Sequence, residues 1–193
     1  MTEDRYASVL TLVRCLAGAP PLDDGDAVLR DALAQLHLTT SAVEAERLDH
    51  LIWQRWSMAG NRAARRALAE ASKALAHGDE GAALDQLGLA IGQDPGFAEA
   101  WNRRATILFM IGRHDRSIAD LEHVLILEPR HYGALAGLGQ ILLQAEAWDG
   151  ALAAFEAALS INPHLNGIRR LIGKLRQAGG GAPRPTPLLD HPR

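Results

Sequence analysis

Three prolines, Pro95, Pro129 and Pro163, stand 34 residues apart, and the same pattern of small and apolar residues precedes each of them. The repeating positions are Ala83, Leu87 and Ala90, then Ser117, Leu121 and Val124, then Ala151, Phe155 and Ala158. Their spacing of four and three residues places them on one face of a helix, and the proline that follows ends the helix. Recurrence at this interval predicts a stack of similar units.

A second helical pattern occurs in the same register. Its aligned positions are Trp101, Ala105 and Leu108 in one unit and Leu135, Gly139 and Leu142 in the next. Each unit is therefore predicted to be a pair of helices, and Gly139 is expected to allow two neighbouring helices to approach closely. Hydrophobic residues make up 48% of the sequence, and most of them are alanine and leucine. Residues typical of strands are few, so the predicted fold class is all-α.

The combined pattern, W/L-x2-L-G-x2-Y followed by A-x3-F and P, resembles the tetratricopeptide repeat. The resemblance covers residues 64–97, 98–131 and 132–165. It implies a right-handed α-solenoid of three helix-turn-helix repeats. The segments WNRRAT, SIADLE and EPRHYGALAGLG also resemble those of small bacterial tetratricopeptide proteins.

The resemblance divides the chain into three parts. Residues 1–60 are predicted to form helices that pack on the first repeat, residues 61–178 the repeat domain with a capping helix at 166–178, and residues 179–193 a disordered tail rich in proline and glycine. Trp53 and Trp56, three residues apart and nearly on one face, are expected to contact the first repeat. A ligand-binding tryptophan pair is the alternative.

Helix ends are predicted from polar residues and glycines. Ser41 with Glu44 forms a capping box at the start of a helix that runs to Met58. Gly78–Asp79 is predicted to supply a C′ glycine and an N-cap carboxylate, and Gly112 with Asp115 to do the same in the next unit.

Two arginines have predicted structural roles. Arg104 occupies a usually apolar position and is expected to reach an acidic group in the neighbouring helix. Arg130 is expected to bond loop carbonyls or Glu128. A contact of Arg130 and His131 with an anion or an acidic peptide is the alternative.

Charge, cysteine content and hydropathy exclude several classes of protein. The formal net charge of -3 gives no basic field for nonspecific binding of nucleic acid or an anionic membrane. Cys15 is the single cysteine, so an intrachain disulfide is excluded, and it is predicted to be buried. Because no apolar run approaches the ~18 residues of a membrane span and the start MTEDRYASVL has no basic region, a cytoplasmic protein is expected, or a periplasmic one if a leader precedes this sequence.

Motifs of catalysis and metal binding are missing from the sequence. It contains no GxxxxGK[ST], no GxGxxG after a strand, no HExxH and no GxSxG. No two of the 8 histidines are three or four residues apart, so no pair can share a metal from one helical face. The protein is therefore predicted not to be an enzyme and to need no cofactor or metal.

The resemblance also implies a binding surface, because the first helices of stacked repeats line a concave groove. Carried over by register, the groove positions of this sequence are Arg65, Ser72, Glu99, Asn102, Thr106, Phe109, Met110, Gln140 and Gln144, with Arg170 and Lys174 from the capping helix. The amide and hydroxyl groups of Asn102, Thr106 and Gln140 could hydrogen-bond the backbone of a partner. The alternative is that the N-terminal helices fill the groove and that Phe109 and Met110 belong to the core.

The function predicted from these features is a non-catalytic interaction module that binds a peptide or helix of an unidentified protein in its groove. Mixed charge distinguishes this groove from the strongly basic clamp by which some family members hold the C-terminal carboxylates of chaperones, so that ligand is not expected. The alternative function is a self-associating scaffold that pairs through Trp53, Trp56 or the N-terminal helix.

Overall fold

The computed structural model describes residues 25–178 together with Thr11, Val13 and Cys15. Between residues 25 and 178 the chain forms nine α-helices and no strand, which confirms the all-α prediction. The helices are α1 (Ala27–Leu38), α2 (Ala42–Met58), α3 (Arg62–Ala76), α4 (Glu80–Gln93), α5 (Ala98–Met110), α6 (His114–Leu127), α7 (Tyr132–Gln144), α8 (Trp148–Ile161) and α9 (Asn166–Ala178).

Side-chain caps and a glycine explain several helix ends. Ser41 and Asp79 accept hydrogen bonds from the backbone N–H groups three residues later, as predicted for N-caps. Gly78 has φ +73°, the left-handed conformation that a C′ glycine supplies. The prediction that Asp115 caps α6 is wrong, because α6 begins at His114 and Asp115 lies in its first turn. There its charge still favours the helix, since it faces the positive end of the helix dipole.

The helices from α3 to α8 pair into three hairpins, which stack in order along the chain. The pairs are α3 with α4, α5 with α6, and α7 with α8, and the end of each hairpin contacts the start of the next. Helix α9 packs on α8 and covers the last hairpin. Close approach at Gly139 is confirmed, because a Cβ there would lie 2.5 Å from the ring of Phe155. A solenoid of helix pairs with a C-terminal covering helix is therefore confirmed.

The apolar core has two parts. The N-terminal helices α1 and α2 belong to the part that contains the second and third hairpins. One part joins α3 and α4 to the start of α5 through residues such as Leu87 and Phe97. The other joins α1 and α2, through residues such as Leu36 and Ile52, to the second and third hairpins and α9. In agreement, α1 contacts α8 and α2 contacts α5. The domain boundaries stay predictions, and the tail at 179–193 lies outside the described residues.

Within residues 1–24 the structure describes Thr11, Val13 and Cys15, and all three are helical. Val13 is buried and joins the core that contains α1 and α2. Cys15 is exposed, so the prediction that it is buried is wrong. Two residues along a helix correspond to about 200°, so Thr11 and Cys15 lie opposite the buried Val13.

None of the helices within the described ranges has both the length and the apolar character that crossing a bilayer requires.

Candidate functional site

The predicted groove positions lie mainly on the first helices of the hairpins, and α2 packs on part of this surface. Helix α5 contacts α7 directly, so the two first helices form one face. Helix α2 contacts α5, and its tryptophans reach the start of α7. The N-terminal helices therefore occupy part of the surface on which the repeat register predicts ligand binding.

A half-buried carboxylate attaches the middle of α2 to the solenoid. Asp49 Oδ1 accepts hydrogen bonds from the Tyr132 hydroxyl at 2.6 Å and from Asn162 Nδ2 at 3.1 Å. Burial raises the pKa of Asp49, although the two hydrogen bonds oppose this effect. Burial and the neighbouring Asp49 charge likewise raise the pKa of Tyr132, so its hydroxyl stays protonated and remains a donor.

Two indole rings attach the C-terminal half of α2. Gly133 leaves the space that the Trp53 ring fills, since a Cβ on this glycine would lie 2.6 Å from the indole. Trp56 stacks on His131, with ring centroids 4.0 Å apart and an interplanar angle of 13°. The tryptophan pair therefore packs on the third hairpin and not on the first, where the sequence placed it, because α2 crosses α5 and reaches the start of α7.

A buried ionic network lies beneath Trp56. Glu99 is 0% exposed, and its carboxylate accepts hydrogen bonds from Asn102 Nδ2 at 2.9 Å and Arg103 Nε at 2.6 Å. His131 Nδ1 accepts from the Ala134 N–H, so its other nitrogen, 3.3 Å from Glu99 Oε2, carries the hydrogen and donates it. Burial alone would raise the pKa of Glu99, but the interactions with His131 and Arg103 lower it overall.

Two buried side-chain atoms in the part of the chain that the structure describes have no hydrogen-bond partner. They are Trp56 Nε1 and Gln140 Oε1, in side chains that are 3% and 9% exposed. Buried polar groups in folded proteins are nearly always paired. At Trp56 the packing of α2 is therefore good in shape but incomplete in hydrogen bonding.

Three of the predicted groove residues are inaccessible in this arrangement. Glu99, Asn102 and Gln140 are buried, and the Asn102 amide is committed to Glu99. An incoming partner could reach these side chains only if the elements above them moved. Their role in binding stays a prediction.

The other predicted positions are at least partly accessible. Met110 is 62% exposed, and Gln144 lines an open cleft of about 470 Å³ with Ala145 and residues 112–116. Thr106 is half-buried and its hydroxyl bonds the Asn102 carbonyl. The remaining predicted positions are Arg65, which contacts Met58 Sδ, Ser72, Phe109, whose ring lies near His114, and the exposed Arg170 and Lys174.

Both arginine predictions are confirmed as structural. Arg104 makes a two-bond ion pair with Asp120 in α6, with distances of 2.7 and 2.8 Å. Arg130 makes a similar pair with Glu128, with both distances at 2.7 Å. The neighbouring His131 is fully buried, so its side chain is not placed to contact an anion in solvent.

Sequence reasoning missed the carboxylate anchor of α2. Asp49 lies four residues before Trp53 and seven before Trp56, a spacing that places all three near one helical face. A carboxylate on the same face as two indoles was the available signal that this face has a polar partner. Among the described residues, no group of three or more His, Cys, Asp or Glu is arranged to hold a metal.

Comparison with known proteins agrees with the helix-pair architecture. A family model described as tetratricopeptide repeat matches residues 68–125 and 112–166. A TPR repeat-containing protein of Rhizobium etli is 37% identical over 135 residues, which cover 70% of this chain and 66% of that protein. This chain thus spans slightly less than two thirds of that relative.

Solved structures share the fold at low sequence identity. The TPR domain of Arabidopsis OM64 matches with a TM-score of 0.58 and 16% identity, covering 60% of this chain and 96% of that domain. The first TPR domain of Spaghetti (RPAP3), bound to the HSP90 peptide SRMEEVD, matches with a TM-score of 0.60 and 17% identity, covering 63% of this chain and 99% of that one.

Proposed function

Because the chain belongs to the tetratricopeptide repeat family, we propose that it is a non-catalytic adaptor that binds a segment of a partner protein on the face formed by the first helices of its hairpins. Residues 61–178 form the proposed repeat domain. Binding would result from complementarity to a preformed surface and would need neither a cofactor nor a metal.

One observation carries the proposal: this face already holds a helix. Helix α2 contacts α5, and its two indoles and one carboxylate reach the start of α7. A surface that accepts aromatic and acidic anchors from a helix of its own chain has the chemistry of a helix-binding groove.

The peptide bound to the similar Spaghetti domain supports peptide binding as a mode of action, but not the same ligand. In this chain the accessible groove positions include Arg170 and Lys174 at one end and the neutral Met110 and Gln144 nearer the middle. The fully buried Glu99 is already neutralised by its own neighbours. No cluster of free basic groups matching a chaperone carboxylate clamp is evident at these positions.

Site-specific photo-crosslinking in the native host tests this function. A benzophenone amino acid at Met110 or Gln144 would report partners at the proposed groove, and the same group at Leu89, an exposed apolar residue on the second helix of the first hairpin, is the matched control. We expect adducts with a defined protein at the two groove positions and not at Leu89. Equal adducts at all three positions, or none at the groove, would reject groove binding.

Self-association through the N-terminal helices has less support. Trp53 and Trp56 make their ring contacts within the chain, against each other and against His131 and Tyr132. A scaffold that paired through these rings would first have to break those contacts. Light scattering over a dilution series measures this alternative directly.

A further inference from the structure

We propose that the face beneath α2 is a receptor for an amphipathic helix of a partner protein that carries a carboxylate and two indoles at positions i, i+4 and i+7, and that α2 occupies this receptor as an internal ligand. The proposal rests on the proposed function and specifies the ligand chemistry of the same face. Helix α2 supplies this pattern itself with Asp49, Trp53 and Trp56.

The receptor side consists of four residues that contact these three anchors. Tyr132 and Asn162 donate hydrogen bonds to a carboxylate, at 2.6 and 3.1 Å. Gly133 leaves room for one indole, and the His131 ring stacks on the other at 4.0 Å. Three of the four residues are consecutive at the start of α7, so the spacing of the anchors on the ligand is fixed by one rigid helix end.

The second and third hairpins also contact one another directly, apart from the core residues that α2 contributes. Leu121, Leu138 and Phe155 are fully or almost fully buried within the second and third hairpins, and α5 to α8 contact one another in sequence. Helix α2 joins the solenoid through a short connection at residues 59–61. Departure of α2 would thus uncover the receptor without removing the contacts between the hairpins.

The contact of α2 with the hairpins also leaves a buried polar group without a hydrogen-bond partner, which favours exchange of α2 for another helix. Trp56 Nε1 is buried without a partner, and burial disfavours the charged form of Asp49, whose pKa is raised. A partner helix whose indole N–H met an acceptor would make a hydrogen bond that α2 leaves unmade. Such a helix would compete even though α2 has the advantage of being tethered.

The test uses the full chain and a synthetic peptide of residues 41–58 with a fluorescent label. The variant Trp53→Ala/Trp56→Ala weakens only the internal ligand and keeps the receptor residues. Because a tethered α2 acts at an effective concentration of about millimolar, we expect the peptide to bind the variant at least about tenfold more tightly than wild type, as measured by fluorescence anisotropy. A peptide with both tryptophans replaced by alanine is the matched control and should bind neither protein.

A receptor-side substitution makes the assignment specific. Tyr132→Phe in the double variant removes the hydroxyl that contacts the carboxylate, and we expect it to weaken peptide binding several-fold. Leu89→Ala in the same background alters an exposed residue of α4 and should leave peptide affinity unchanged.

Three outcomes would overturn the proposal. The first is absence of saturable peptide binding by a double variant that circular dichroism shows to be folded. The second is peptide-induced dimerisation in light scattering, which would show that a second copy of this chain occupies the face beneath α2. The third needs no variant: in hydrogen exchange of the wild type, amides of α2 must exchange faster than those of α7 and α8, and exchange of all three only with global unfolding would make α2 a fixed part of the core.

These results are distinguishable from failure of the proposed function. The crosslinking positions Met110 and Gln144 are exposed with α2 in place. A negative peptide result with positive crosslinking rejects the helix receptor but keeps the adaptor, whereas the reverse result keeps the receptor and rejects binding at the exposed groove.

Discussion

The hydrogen bonds of Asp49 lead to a quantitative prediction about what holds α2 in place. Asp49→Ala leaves the Tyr132 hydroxyl and the Asn162 amide without their shared acceptor, and Tyr132 is 1% exposed. Each orphaned donor costs about 1–3 kcal/mol, so the free energy of unfolding should fall by roughly 2–6 kcal/mol. If α2 detached in this variant, water could hydrogen-bond both donors, and the loss of unfolding free energy would lie near the lower end of this range.

Asp49→Asn is the matched control, because its carboxamide oxygen can accept both hydrogen bonds while the half-buried charge is removed. Since burial raises the pKa of Asp49, the folded state disfavours the charge more than the unfolded state does. We therefore expect Asp49→Asn to be at least as stable as wild type at pH 7, and more stable than Asp49→Ala by about 2 kcal/mol or more.

The pH dependence of this pair has a defined sign. A group with a raised folded pKa contributes stability that is fully present below its unfolded value, here 3.8, and is lost as the pH rises through the folded value. Wild type should therefore lose this contribution on going from pH 3.8 upward, whereas Asp49→Asn should not. Urea unfolding followed by circular dichroism at several pH values measures both effects, and equal stabilities of the alanine and asparagine variants at pH 7 would refute the reasoning.

Three further substitutions are to be measured by the same urea unfolding assay. Glu99→Gln removes the charge to which Asn102, Arg103 and His131 donate, and because the Arg103 guanidinium is partly exposed to water, the change should cost about 1–3 kcal/mol. Because the pKa of Glu99 is lowered, the wild-type advantage should be present above its unfolded value of 4.5 and disappear in more acidic solution, and an advantage that survives in acid would contradict this. Gly139→Leu forces a side chain into the space of the Phe155 ring and should cost at least about 1–3 kcal/mol, so an unchanged midpoint would show that the ring can move aside. Arg104→Ala removes both bonds to the mostly buried Asp120 and should cost about 1–3 kcal/mol, with the simultaneous Asp120→Ala change recovering part of the loss.

The features that could be predicted from the sequence are those encoded within a few turns of chain. The helix ends at Ser41, Gly78 and Asp79 depend on neighbouring residues only, and a period of 34 residues fixes which helices pair. The sequence also predicted that Arg104 pairs with an acidic group of the neighbouring helix, because Arg104 and its partner Asp120 lie within one hairpin. Periodicity carries this information since each unit buries its apolar face on the adjacent one.

The position of α2 could not be predicted in the same way, because it depends on contacts between residues distant in sequence. Asp49 and Asn162 are hydrogen-bonded although they lie 113 positions apart in the sequence. The 34-residue pattern gives no information about a helix that lies outside the repeats. The register therefore gave Asn102 and Gln140 as groove residues, although both are buried in the folded chain. The signal that remained was local, namely the carboxylate and the two tryptophans on one face of α2.

The packing of α2 explains why two equivalent positions of the repeat carry different residue types. Glu99 and Gly133 occupy the same register position one repeat apart, yet one is a fully buried carboxylate and the other lacks a side chain. The difference follows from α2: at Gly133 the indole of Trp53 takes the place of a side chain, and near Glu99 the stacked Trp56 and His131 exclude water, so the carboxylate must be paired within the protein. Since neither residue type would serve at the other position, α2 and the solenoid are complementary at each anchor. A helix that replaces α2 must therefore present an indole to Gly133 and an apolar ring to His131.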